Sequence, residues 1–113
     1  MAPTDRTAAV SLCHDAVRKS IDAHAGARGY RFENTPGAHK TRLAYAMHEL
    51  RAVIPAPDLE LAETLRRRRH SAEYGEIPSM KITDSELQTY AALAERTTAT
   101  IKATLPGLAA PQR

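Results

Sequence analysis

The chain contains one cysteine, no tryptophan and few aromatic residues (4%). A lone Cys13 excludes an intrachain disulfide and any cysteine-based zinc cluster. It falls on an apolar helix face, where a thiol packs as a small hydrophobe. Scarce aromatics beside plentiful Ala and Leu favour packed helices over a β-sandwich. No run approaches the roughly 18 apolar residues of a membrane span. Met1 to Asp5 lacks the charged and apolar regions of a signal peptide, so a cytoplasmic location is expected. No dinucleotide fingerprint, P-loop, zinc-protease helix or internal repeat is present.

What remains suits one compact domain of 113 residues. The spacing assigns it to residues 4–106, followed by a tail at 107–113. The formal charge of +3 permits a nucleotide or nucleic-acid partner without requiring one.

Four amphipathic segments follow one another. The first runs from Asp5 to Ala27, with Thr4 as its cap. Its apolar stripe is Ala9, Leu12, Cys13, Ala16, Val17, Ser20 and Ile21. Gly26 or Gly29 supplies the left-handed residue at its end. Tyr30 to Thr35 reads as a polar, irregular link. Pro36, capped by Thr35, opens the second helix. That helix carries Leu43, Ala46, Met47, Leu50 and Val53 and stops at Pro55 and Pro57. The third spans Asp58 to Tyr74, with Leu61, Ala62, Leu65 and Ala72 inward. Thr83-Asp84-Ser85-Glu86 forms a capping box for the fourth. Its stripe is Leu87, Tyr90, Ala91, Ala94, Thr98, Ile101 and Leu105, and Pro106 and Gly107 end it. The predicted fold class is all-α, an antiparallel four-helix bundle.

The chemistry concentrates in the third helix, at Arg66-Arg67-Arg68-Arg69-His70. Four consecutive helical residues sweep about 300° around the axis, so the four arginines cannot share one solvated face. Arg69 lies four residues after Leu65 and three before Ala72, which puts it on the apolar face. A guanidinium there needs a partner. Glu73 is one turn on, and His70 and Tyr74 form a second pair at the same spacing. Arg66, Arg67 and Arg68 read as a solvated basic face. Arginine's planar fork suits phosphate, so the cluster is a candidate phosphate site.

Elsewhere the signal is thin. The five histidines are scattered and no serine sits in a special turn, so no nucleophilic triad can be built. His14 and Asp15 are adjacent, point apart on a helix, and complete no metal ligand set. Neither a metal nor a cofactor is expected. His39, near the start of the second helix, is a candidate anion contact because helix starts favour negative charge.

Three blocks of the chain then resemble one family. They are Cys13 to Lys19 followed by Ala27-Arg28-Gly29-Tyr30; Gly37-Ala38-His39; and Leu65 to Gly75 followed by Ile82-Thr83 and the last helix. In order and spacing they resemble the HEPN superfamily (higher eukaryotes and prokaryotes nucleotide-binding), particularly its short stand-alone bacterial members. The resemblance implies a small helical bundle that commonly dimerises, with the motif helices facing each other across a cleft. In active members an arginine and a following polar residue precede a histidine, and the pair cleaves RNA without a metal. Many members act with a minimal nucleotidyltransferase in toxin–antitoxin or defence systems.

Arg69 matches the motif arginine and His70 the polar residue after it. Tyr74 stands where the histidine would come. Tyrosine, ionising near pH 10, is a poor general base at neutrality, roughly three units below. The motif is therefore degenerate. The leading expectation is a HEPN-type antitoxin or binding partner of a nucleotidyltransferase toxin, acting as a homodimer or hetero-oligomer. Arg66, Arg67, Arg69, Glu73 and His39 would contact nucleotide, RNA or partner. One alternative is a metal-independent ribonuclease toxin using Arg69, His70 and Tyr74. Another is a structural bundle without a ligand.

Overall fold

The computed structural model describes residues 3–33, 35–73 and 82–107, with side chains for 6–33, 35–71 and 82–106. Four α-helices follow one another: α1 (Pro3–Ala27), α2 (Ala38–Glu49), α3 (Ala56–Glu73) and α4 (Asp84–Thr104). A short 3-10 turn, Leu105–Gly107, closes the described chain. The result is an all-α four-helix bundle measuring 49 × 27 × 20 Å. No helix among the described residues is long and apolar enough to cross a membrane. The tail beyond Gly107 lies outside the described residues.

Inter-helix contacts fix the directions. Arg68 meets Glu86 and Arg96 meets Asp58, so α3 and α4 are antiparallel. Arg6 meets Ile82 and Ser20 meets Thr98, so α1 and α4 run the same way. Both therefore lie antiparallel to α3. On α2, Arg42, Tyr45 and Glu49 meet Asp22, His24 and Arg28 in matching order. The short helix α2 thus follows the last turns of α1.

Local chemistry explains the helix ends. Gly29 has φ 86°. The Tyr30 amide donates to the Ala25 carbonyl and the Gly29 amide to that of Gly26, the paired bonds of a Schellman motif. Of the two glycines expected to end α1, Gly29 is the left-handed one. At α4 the Thr83 hydroxyl accepts from the Glu86 amide at 3.0 Å. The Thr83 backbone in turn helps hold the Glu86 carboxylate ionised, completing the box.

Three starts differ from expectation, α3 beginning at Ala56 and not Asp58. Helix α1 already includes Pro3, whose fixed φ suits a first turn, so Thr4 is inside the helix and not its cap. Helix α2 begins at Ala38 with Gly37 as N-cap. Pro36 lies before it, in a turn closed by the Ala38 amide on the Thr35 carbonyl.

The core is aliphatic, as composition predicts. Val10, Val17, Ile21 and Ala25 of α1 meet Leu65 of α3 and Leu87, Leu93 and Ile101 of α4 in one cluster. Cys13 is half-buried against it, and burial pushes its thiol up, so it stays protonated. The first stripe holds at Ala9, Cys13, Ala16, Val17 and Ile21 but not at Leu12. Leu12 is 70% exposed, whereas Val10 and Ala25 are wholly buried. Met47 and Val53 are likewise exposed, with Tyr45 and Ile54 inward. On α4, Leu93 and Thr97 are buried where Ala91 and Thr98 were expected.

The link after α1 is not simply polar. Phe32 packs edge-on to Tyr45 at 5.6 Å, and Tyr30 does so at 5.7 Å. Tyr45 lies 2.6 Å from the buried His24 Nδ1. Burial pushes the Tyr45 phenol up, so it stays protonated beside the imidazole. Burial, aided by Arg28, keeps His24 neutral. This aromatic and polar knot docks α2 onto α1 and so shapes the site.

Candidate functional site

A cleft of about 610 Å³ opens between α1, α2, α3 and the link before α2. Its floor is apolar, with Val17 and Ile21 of α1, Ala46 of α2 and Leu59 of α3. Its walls carry four arginines, Arg18, Arg42, Arg66 and Arg69. Three histidines, His14, His39 and His70, also line it. The acids on its surface are Asp22, Glu33 and Glu63. The cleft also borders the N-terminus of α2, which no side chain caps. Helix dipole and guanidinium groups there favour the same sign of ligand.

The structure divides the arginine run into four environments. Arg67 is 71% exposed and reaches back to Glu63 at 3.7 Å. Arg66 forms a fork-like pair with Glu63 at 2.8 and 3.0 Å, one turn earlier on α3. Arg68, expected on a solvated face, is held in the α3–α4 seam. It donates to Glu86 at 2.5 and 2.9 Å. Tyr90 donates to the same carboxylate at 2.7 Å. Arg68 first, then Tyr90, holds Glu86 below the usual carboxylate range, while burial pushes the Tyr90 phenol up. Spacing within α3 could not reveal this, because the partner lies 18 residues on.

Arg69 does turn inward, toward α1. Its Nη1 lies 3.4 Å from His14 Nδ1 and its Nη2 3.9 Å from Asp15 Oδ1. Its side chain is 30% exposed, so a ligand in the cleft can reach it. His70 also lines the cleft but is exposed. His39, second residue of α2, is half-buried on the opposite wall. The expected residues His39, Arg66, Arg69 and His70 therefore share one cleft, and Arg67 does not line it. The side chain of Glu73 and all of Tyr74 lie outside the described residues.

Three cleft residues escaped the sequence reading, namely His14, Arg18 and Arg42. His14 was read as pointing away from Asp15, yet its Nδ1 lies 3.9 Å from Asp15 Oδ1. Burial first, and then the Arg69 guanidinium, lowers the His14 imidazole to about 4. At neutral pH it is uncharged, so this approach is not an ion pair. Arg18 spans Asp15 and Asp22 at 3.6 Å each, and Arg42 donates to Asp22 at 2.7 Å. The charged row Asp15, Arg18, Asp22 beside Val17 and Ile21 is visible in the sequence. It signals a charged strip flanking a buried one.

No family model, curated protein or solved structure matches the chain.

Proposed function

We propose that this chain is a HEPN-type binding module whose cleft holds a phosphate group of an RNA or nucleotide. The observation carrying this reading is the convergence of Arg18, Arg42 and Arg69 from three helices on one cleft. Each can present a planar fork to phosphate oxygens. The apolar floor beneath them suits the less polar part of such a ligand. The role as antitoxin or binding partner of a nucleotidyltransferase toxin, and any dimer, rests on the resemblance of the three sequence blocks. A motif with tyrosine at position 74 fits a partner protein better than a toxin.

The test pairs binding with growth. Fluorescence anisotropy with a labelled single-stranded RNA should show affinity falling with salt. Arg69→Ala should weaken binding at least tenfold and flatten the salt slope. Expression beside a neighbouring nucleotidyltransferase should relieve that partner's toxicity. No RNA or nucleotide binding by folded protein would overturn the reading.

A second reading, a metal-independent ribonuclease, is favoured by one contact, the neutral His14 imidazole beside Arg69. An imidazole lowered to about 4 is a weak base at neutral pH, so on this reading it orients the 2′-hydroxyl by accepting its hydrogen bond, while the guanidinium stabilises charge developing on phosphorus oxygens. Cleavage of RNA in the presence of chelator, lost in both His14→Gln and Arg69→Ala, would select this reading over a binder.

A further inference from the structure

We infer that the cleft takes one unpaired nucleotide, with its base stacked on the Phe32 ring at the end away from the His14–Arg69 contact. This rests on the proposed reading of the cleft as a phosphate site and assigns the rest of the ligand. The ligand class is a nucleoside monophosphate unit, free or within a single strand.

The two ends of the cleft differ in chemistry. At one end Arg69 of α3 reaches His14 of α1, with Arg18 one turn further along α1. Asp15 belongs to the same end, 3.6 Å from Arg18 and 3.9 Å from Arg69. The other end lies at Asp22, eight residues after His14, where α1 has risen about 12 Å. There Arg42 of α2 is forked onto Asp22 at 2.7 and 3.4 Å. Its guanidinium also lies over the Phe32 ring, 5.1 Å from the centroid. Phe32 is the chain's single phenylalanine, half-buried in the cleft wall although it stands between Arg31 and Glu33. Ile21, Ala46 and Leu59 give this end an apolar floor.

The acids that line the cleft lie on the same side. They are Asp22, Glu33 beside Phe32 in the chain, and Glu63, which holds Arg66 six residues before Arg69 on the antiparallel α3. Carboxylates repel an oxyanion and accept hydrogen bonds from the N–H groups of a base. The phosphate is thereby directed to the Arg69 end and the base to the Phe32 end. A rise of about 12 Å matches the reach of one nucleotide from phosphate to base. Size sets the strandedness. About 610 Å³ lies within the range of roughly 300–1,000 Å³ that encloses one small ligand. Such a cleft admits a base turned out of its stack and excludes a base pair held in a duplex. Aromatic rings and guanidinium planes hold unpaired bases by stacking, with little sequence preference.

The test compares a short single-stranded RNA, an abasic ribose-phosphate chain of the same length, the same RNA as a blunt duplex, and uridine 5′-monophosphate. The single strand should bind at least about fivefold more tightly than the abasic chain or the duplex. Nuclear Overhauser contacts should join base protons to the Phe32 ring, whose signals are unique in this chain. Such contacts from uridine 5′-monophosphate support a free nucleotide as the source, and contacts from the strand alone support RNA. Phe32→Leu keeps an apolar side chain against Tyr45. It should lower single-strand affinity to that of the abasic chain and leave abasic binding unchanged. Equal losses for both ligands mark a structural role and overturn the stack. An abasic chain or duplex that binds as tightly as the single strand, or a bound strand without contact to the ring, overturns it while leaving the phosphate site intact. Failure of every ligand to bind folded protein overturns both. The wild-type ring contacts decide the question even if Phe32→Leu folds poorly.

Discussion

Arg68 and Arg69 are adjacent and chemically identical, yet α3 sends them to different seams. Arg68 enters the wall between α3 and α4, where Glu86 accepts short bonds from it and from Tyr90. Arg69 enters the cleft between α3 and α1, where its described contacts are long, 3.4 and 3.9 Å. A rotation of about 100° separates the two. The Arg68 guanidinium is tied across the α3–α4 seam, whereas that of Arg69 lines the cleft with its side chain 30% exposed, within reach of a ligand. The account therefore assigns Arg68 to stability and Arg69 to binding.

Variants can break that division. The largest stability effect is expected for Arg68→Ala, which strands Glu86 in a partly buried seam. It should cost roughly 2 kcal/mol, measured by urea unfolding, while RNA affinity stays within about twofold. If affinity collapses without unfolding, the division fails. Arg69→Ala should do the opposite, lowering RNA affinity at least tenfold and stability by less than about 1 kcal/mol.

Acid should weaken the α1–α2 side through the histidines. His14 and His24 are held uncharged, by burial first in each case. Their lowered values mean that the unfolded chain binds protons before the folded one does. Stability is then lost as pH falls below about 6.5, continuing toward about 4 for His14. Thermal unfolding at pH 7 and pH 5 should differ by on the order of 2 kcal/mol. An equal midpoint at both pH values would contradict the neutral, buried assignment. Glu86, with its value lowered, adds a loss of the same sign at lower pH, beginning as pH falls through about 4.5.

Smaller effects sharpen the comparison further. Gly29→Ala forces a side chain into the left-handed region at φ 86° and should cost about 1 kcal/mol in the same unfolding assay. Arg67→Ala removes a solvent-facing charge and should change stability by no more than about 0.5 kcal/mol. Its RNA affinity should fall far less than that of Arg69→Ala.

What was legible in the chain was local. The Thr83–Glu86 box, the glycine after α1 and the inward phase of Arg69 depend on residues within a turn or two, and each is present. Within the α1 stripe only Leu12 was misplaced, because alanines on several faces blur the edge of the apolar period. Arg68 was misread because its partner sits on another helix, inside the capping box of α4. His14 and Arg42 carry no local signature at all. Arg42 becomes a site residue only when α2 packs alongside α1, a step set by Phe32, Tyr45 and His24, and His14 only when α3 brings Arg69 against α1.

The central claim is that phosphate binds in the cleft between α1, α2 and α3. Its most direct test is backbone and side-chain chemical-shift mapping with a short oligouridine. The account predicts perturbations concentrated at His14, Arg18, Arg42 and Arg69, lost in Arg69→Ala. Perturbations confined to Arg67 and other exposed positions, or unchanged in that variant, would contradict it.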